Sequence, residues 1–300
     1  MNQVNGDKKE TDSNTVGKMV FEGLSGFPIT PLKNGEVDLN VLCDIRDHID
    51  NAGLDSIGVL GSTGSFAYLS DIQRISVMEC WGKATTPWIA GVSATTTKEA
   101  IKYSKIAEQN GAQGIIANAF AYVPLNSQEL KSYFLDIAEA SSLPLCVYDN
   151  PLTTGQTLSD ELIHELCTHE NIKAIKVFAK QNNAEQHNRL SSLNIYPGYA
   201  VDANCCEAII NGGSTWYSTL AGTLPELLVP VMSAIKAGEH TKARQLNMSL
   251  KPLYELMKQY SGFRVMHALA NQRGWSCELP KPLSIHELGD VSRFLPNEAT

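Results

Sequence analysis

Apolar residues along the chain follow two rhythms that take turns. Short runs rich in β-branched residues recur as GFPITPL (26–32), DSIGVLG (55–61), PWIAGVS (87–93), QGIIANAF (113–120), PLCVYDN (144–150), IKAIKVF (172–178), IYPGYA (195–200) and STWYSTLAG (214–222). Each has the length and composition of a strand. Between them the apolar positions fall three and four apart, as on one face of a helix. In DLNVLCDIRDHIDNAG, Leu39, Leu42, Ile45 and Ile49 share a face, Asp38 stands where a cap is needed and Gly53 where a helix stops. Ser70, Ser127 and Ser159 open three further helical stretches, the last two with acidic residues in the first turn.

Strand–helix units at a pitch of roughly 30 residues, repeated eight times, predict an α/β fold of the (β/α)8 TIM-barrel type, whose usual size is about 250 residues. A doubly wound sheet shares this alternation. Against it, no GxGxxG follows the first strand, and the rhythm reaches its eighth unit without a break in composition. Beyond residue 223 the pattern becomes almost purely helical. The expected organisation is therefore a polar, disordered arm over 1–18, a barrel over 19–222, and a final barrel helix with a C-terminal helical cap over 223–300.

The 300 residues carry a net charge of −8 and are 43% hydrophobic, enough apolar material for one large barrel. That acidity argues against nucleic acid as the main partner, because a phosphate-binding surface needs a basic excess. A local positive site for a small anion stays compatible with it. The start of the chain lacks the apolar core of a secretory signal, and no run of about 18 apolar residues suggests a membrane span. The seven cysteines are scattered without a CxxC pair, and the histidines show neither HxH nor HExxH spacing. No metal site is expected from them, and a cytoplasmic location with reduced thiols is.

Three short stretches carry candidate chemistry. Alternation along IKAIKVF puts Ile172, Ala174 and Lys176 on one face. If that face lines the barrel, Lys176 sits near the C-terminal end, where barrel active sites are built. An amine desolvated there loses part of its preference for charge and can attack a ketone to form a Schiff base; the alternative is a lysine paired with a carboxylate. Tyr148, in YDNP (148–151), ends the preceding strand. Its phenol can relay protons to a neighbouring imine, or simply fill the core with a backbone partner. In LGSTGSFAYLS (60–70), Gly61 and Gly64 bracket Ser62 and Thr63. Such a loop can aim N–H and hydroxyl groups at a carboxylate, although the same composition makes an ordinary turn.

These stretches, with the opening FPITPLKNGEVD and the later LPKPL (279–283), resemble the dihydrodipicolinate synthase / N-acetylneuraminate lyase family of pyruvate-type class I aldolases over residues 20–290. The resemblance implies a lyase in which Lys176 forms an imine with pyruvate or another 2-oxo acid. It makes Tyr148 the proton relay, with Ser62 and Thr63, beside Gly61, holding the 2-oxo-acid carboxylate. It further implies a homodimer or homotetramer in which a tyrosine after the fourth strand crosses a tight subunit contact. Tyr122 fits that role, and a register one residue different would offer Ala121. No cofactor or metal is implied, since the protonated imine is itself the electron sink.

Three departures bear on the substrate. Ser65 stands where the family usually has glutamate, and Asp149 where it commonly has asparagine. Thr153 stands where synthases of the lysine precursor carry the arginine that grips the second substrate's carboxylate. A threonine offers one neutral hydroxyl in place of a bidentate cationic fork. The expected activity is therefore reversible aldol cleavage of a 2-oxo-3-deoxy-type acid to pyruvate and an aldehyde. The alternatives are condensation of pyruvate with aspartate semialdehyde, and a family member that binds 2-oxo acids without catalysis.

Overall fold

The computed structural model describes residues 20–285 and 288–296. The expected arm over residues 1–18 lies outside them. Eight strands close into a parallel barrel: β1 (Gly23–Gly26), β2 (Ser56–Val59), β3 (Trp88–Gly91), β4 (Gly114–Ala117), β5 (Leu145–Tyr148), β6 (Ile172–Phe178), β7 (Tyr196–Ala200) and β8 (Thr215–Ser218). Neighbours pair in chain order, and β1 closes the ring against β8 from Gly23↔Thr215 to Gly26↔Ser218. The helices between strands are α1 (Leu39–Asp50), α2 (Asp71–Trp81), α3 (Thr97–Gln109), α4 (Ser127–Ala140), α5 (Asp160–Leu166), α6 (Ala184–Ser191) and α7 (Asp202–Ile210), with α8 (Pro225–Lys236) after β8. Three more, α9 (His240–Ser249), α10 (Lys251–Tyr260) and α11 (Gly262–Gln272), form the C-terminal extension. The fold is the (β/α)8 barrel that the hydrophobic rhythm predicts.

Helix starts follow side-chain chemistry. Asp38 accepts from the N–H groups of Asn40 and Val41, Ser159 from that of Leu162, and Ser70 forms a reciprocal capping box with Gln73. At α4 the cap is Asn126, paired with Glu129, so Ser127 is the first helical residue and not the cap. The first strand also differs from expectation. It runs over Gly23–Gly26, and GFPITPL contributes only its leading glycine. Pro28 and Pro31 have no N–H to donate to a ladder, so the chain leaves the sheet before them. It then makes a small hairpin, Leu32–Lys33 against Glu36–Val37, whose Leu32 also bridges to Glu278.

Period-two alternation sorts the core into two shells. Outward residues such as Ile57, Ala90, Ile115, Val147, Ile175 and Trp216 pack against the helices. Inward residues fill the barrel: Ile89, Ile116, Cys146, Ala174 and Tyr217, with Phe27 beyond the end of β1. Ile172 departs from strict alternation. The register between β5 and β6 slips after Leu145↔Ile172, so the next pair is Cys146↔Ala174. This irregularity leaves Ile172 in the outer shell while Ala174 stays inside.

Two large inward rings exist because glycine faces them. A Cβ on Gly58 would lie 2.1 Å from the Phe27 ring, and one on Gly198 would lie 2.2 Å from the Tyr217 ring. Gly58→Ala is accordingly expected to displace Phe27 and destabilise the protein by about 1–3 kcal/mol. Thermal unfolding should register this as a fall of roughly 2–10 °C in Tm. An unchanged Tm would mean that the ring moves freely.

Candidate active site

Lys176 on β6 pairs with Tyr148 on β5 at one side and with Gly198 on β7 at the other. Alternation turns both side chains into the barrel at its C-terminal mouth, where the lysine is 6% exposed. Because Gly198 adds no bulk, the Tyr217 ring leans into that space. Phe27, opposite Gly58, comes from the other side. The amine is therefore boxed by aromatic faces: Nζ lies 3.8 Å from the Phe27 ring centre, 4.3 Å from that of Tyr148 and 5.2 Å from that of Tyr217.

Among the described residues no carboxylate lies within ion-pairing distance of this nitrogen. Burial is then the dominant influence on it. It lowers the amine's pKa from 10.5 to about 8, against the weaker opposing pull of Cys146, Cys205 and Asp202. At pH 7 roughly one amine in ten is neutral, in place of about one in three thousand for an ordinary lysine. A carbonyl brought beside it meets a usable nucleophile.

Tyr148 packs edge-on against Phe178, with ring centres 6.3 Å apart. Burial pushes its phenol above the ordinary range, with Asp149 and Cys146 adding to the effect. The hydroxyl makes no hydrogen bond among the described residues, and Tyr148 lines the cleft. Pro151 then opens one short helical turn, Pro151–Thr154. Thr153 sits on it, exposed at the cleft's edge. The Asp149 carboxylate accepts from the Leu158 N–H at 3.3 Å, so it pins the segment that follows this turn.

The glycine loop after β2 is held in a defined shape. Leu60 and Ser65 both have left-handed backbones, with φ of 57° and 61°. Such conformations in non-glycine residues cost of order 1 kcal/mol each and persist only where the surroundings fix them. The fixing bonds are Thr30 Oγ1 to the Gly64 carbonyl at 2.8 Å and the Ser65 N–H to the Ser62 carbonyl at 3.2 Å. Among the described residues the Ser65 hydroxyl is buried without a partner, so it does not anchor the loop. Gly61 faces Phe27 so closely that a Cβ would lie 2.6 Å from the ring. Ser62 and Thr63 line the cleft, and Thr63 Oγ1 meets Thr219 Oγ1 at 3.1 Å.

These groups share one cleft of about 960 Å³. Its inner wall is the barrel mouth, and its outer wall comes from α10, α11 and the loop between them, including Tyr254, Lys258 and Arg264. Lys176, Tyr148, Ser62, Thr63 and Thr153 all face it, and Gly61 borders the innermost void beside the amine. Tyr122 does not face it. Its side chain is 98% exposed, with Val123 and Leu152 also exposed. The sequence reading missed Thr219, Asn118 and Phe27, although alternation continued one residue past β4 points Asn118 inward beside Ile116. Asp202, the first residue of α7, lines the cleft just after β7; its carboxylate is buried and accepts from Trp216 Nε1 at 2.7 Å and the Leu220 N–H at 3.1 Å. No group of three or more metal-ligating side chains converges among the described residues. No helix among them is long and apolar enough to cross a membrane.

A profile of the dihydrodipicolinate synthetase family matches residues 20–287. The chain belongs to that family. This agrees with the resemblance carried by its sequence motifs. The 4-hydroxy-tetrahydrodipicolinate synthase of Methanococcoides burtonii is 30% identical over 243 residues, covering 78% of this chain and 82% of its own length. That of Haloarcula marismortui is 29% identical over 244 residues, covering 79% of each chain. Among solved structures, a dihydrodipicolinate synthase from Agrobacterium tumefaciens is 36% identical, with a TM-score of 0.84 over 91% of this chain and 94% of its own. A chloride-inhibited synthase from Acinetobacter baumannii, solved with pyruvate, is 26% identical, with a TM-score of 0.81 over 88% of this chain and 93% of its own. Enzymes of the family are lyases and synthases.

Proposed function

We propose that this family member is a metal-independent class I lyase that cleaves, reversibly, a 2-oxo-3-deoxy-type acid to pyruvate and an aldehyde through an imine on Lys176. The observation that carries the reading is the lysine amine itself, enclosed by three aromatic rings and lowered by burial to about 8.

In this mechanism the neutral Nζ attacks C2 of the 2-oxo acid, and loss of water leaves a protonated imine. The C3–C4 bond then breaks. Its electron pair moves into the imine to give an enamine, and the C4 hydroxyl loses its proton as the aldehyde forms; a proton then adds to C3 of the enamine, and water hydrolyses the resulting imine to free pyruvate and the lysine amine. Tyr148, next to Lys176 in the sheet, relays these protons. Ser62 and Thr63 receive the C1 carboxylate on a loop that Gly61 allows to approach Phe27 closely, and Thr219 Oγ1 holds the Thr63 hydroxyl at 3.1 Å. Tyr122 acts from a second copy of the chain in a homodimer or a pair of dimers; its full exposure, next to the exposed Val123, supports that role. Thr153 offers only a hydroxyl to the far end of the substrate. We assign no cofactor, and a cytoplasmic location.

The test is reduction with borohydride in the presence of pyruvate. A mass increase on the peptide holding Lys176 is expected, and an unmodified peptide in folded protein would end the reading. The curated relatives' names support a second reading, condensation of pyruvate with aspartate semialdehyde. Against it stands Thr153. Thr153→Arg is expected to raise turnover of those two substrates by tenfold or more, about the worth of one bidentate carboxylate contact. A wild type already as fast as its arginine variant would favour the synthase.

A further inference from the structure

The carboxamide of Asn118 has no structural employment. Asn118 follows β4 and continues its inward face, 2% exposed. Its backbone N–H donates to Ser93 Oγ at 2.8 Å. Its side chain makes no hydrogen bond among the described residues, and the amide oxygen is fully buried without a partner. Buried amides are almost always paired, because an unpaired one forfeits its hydration for nothing. An apolar residue would fill the position better. Among the described residues Ser65 Oγ and Asn150 Oδ1 are also buried and unpartnered on the cleft wall. Only Asn118 also borders the innermost void, which it shares with Lys176, Tyr148 and Ser62 and which has a volume of about 10 Å³, room for about one water.

Resting on the imine reading above, we infer that Asn118 is a specificity-determining residue that binds the oxygen on C4 of a 4-hydroxy-2-oxo acid held at Lys176. On that reading, C1 is taken by the Ser62–Thr63 loop and C2 by the amine. The next oxygen along the chain, shared by every aldol product of pyruvate, is the one on C4. It is a hydroxyl before cleavage and an aldehyde carbonyl afterwards. A carboxamide suits both states: its oxygen accepts from the hydroxyl, and its NH₂ donates to the carbonyl. A carboxylate could serve only the hydroxyl, and an ammonium group could not accept the hydroxyl's proton. Asn118 therefore stays paired on both sides of C3–C4 bond breaking, without changing charge.

The test compares 2-oxopentanoate with 4-hydroxy-2-oxopentanoate by borohydride trapping, counting every adduct on the Lys176 peptide. Wild type is expected to reach half-modification at a concentration about tenfold lower with the hydroxylated acid, because a site built to pair a hydroxyl penalises its absence. Asn118→Leu should erase that preference while trapping 2-oxopentanoate within about threefold of wild type. Asn118→Ala, which only removes atoms, repeats the comparison should leucine disturb folding. A wild type without preference overturns the inference, as does a variant that keeps the preference or loses trapping of both acids. Failure of wild type to trap either acid would instead sink the Schiff-base reading itself.

Discussion

Replacing Lys176 with methionine is expected to abolish trapping by pyruvate and to lower lyase turnover by about 10⁴-fold or more, the scale on which removal of a covalent nucleophile is felt. The same change should stabilise the protein. In the folded state the amine's pKa is about 8, below its ordinary 10.5. Between those two values the unfolded chain holds more protons, so the wild type gains stability as pH rises through that window. Below pH 8 the whole penalty is present, about 3 kcal/mol. Methionine fills a similar volume without charge. Its advantage should be near that size at pH 7, shrink between pH 8 and 10.5 and vanish above. Thermal unfolding across pH measures it; a variant no more stable than wild type at pH 7 would mean that the amine is not desolvated. In wild type, imine formation should rise about tenfold per pH unit below about 8 and level off above it, since only the neutral amine attacks.

Tyr148→Phe is expected to lower turnover by about 10²–10³-fold, the usual worth of a positioned proton relay. The ring would keep its edge-on contact with Phe178 and its position against the lysine, so stability should change by less than about 1 kcal/mol. Trapping with pyruvate should slow but still reach completion, because the nucleophile remains. This separates the variant from Lys176→Met, where no adduct forms. Single-turnover trapping followed over time distinguishes the two, and a Tyr148→Phe enzyme with wild-type rates would remove the phenol from the mechanism.

The barrel was legible because its signal is repeated: eight apolar runs, each followed by an amphipathic stretch, leave few other folds. What failed was local. GFPITPL reads as a strand by composition, but its two prolines end pairing at Gly26. IKAIKVF reads as strictly alternating, yet the register irregularity against β5 sends Ile172 outward. That irregularity lies before Ala174, so the inward direction of Lys176 survives it. In the site, Lys176, Tyr148 and the glycine loop stand out as unusual residues in ordinary strand surroundings. Asn118, Thr219 and Phe27 do not. Each looks unremarkable in its own segment and becomes notable only beside residues from distant strands, as Phe27 does by filling the space that Gly58 leaves. Tyr122 marks the opposite limit: one chain alone leaves it facing outward.

The cleft's two walls have separate origins along the chain. The reacting end is set by strand termini and the glycine loop, where any shift disturbs barrel closure. The facing wall comes from α10 and α11, which follow after the ring is complete. Changes in the C-terminal helices can therefore reshape the outer wall, and with it the room for the far end of a substrate, while the strand termini that close the barrel stay in place.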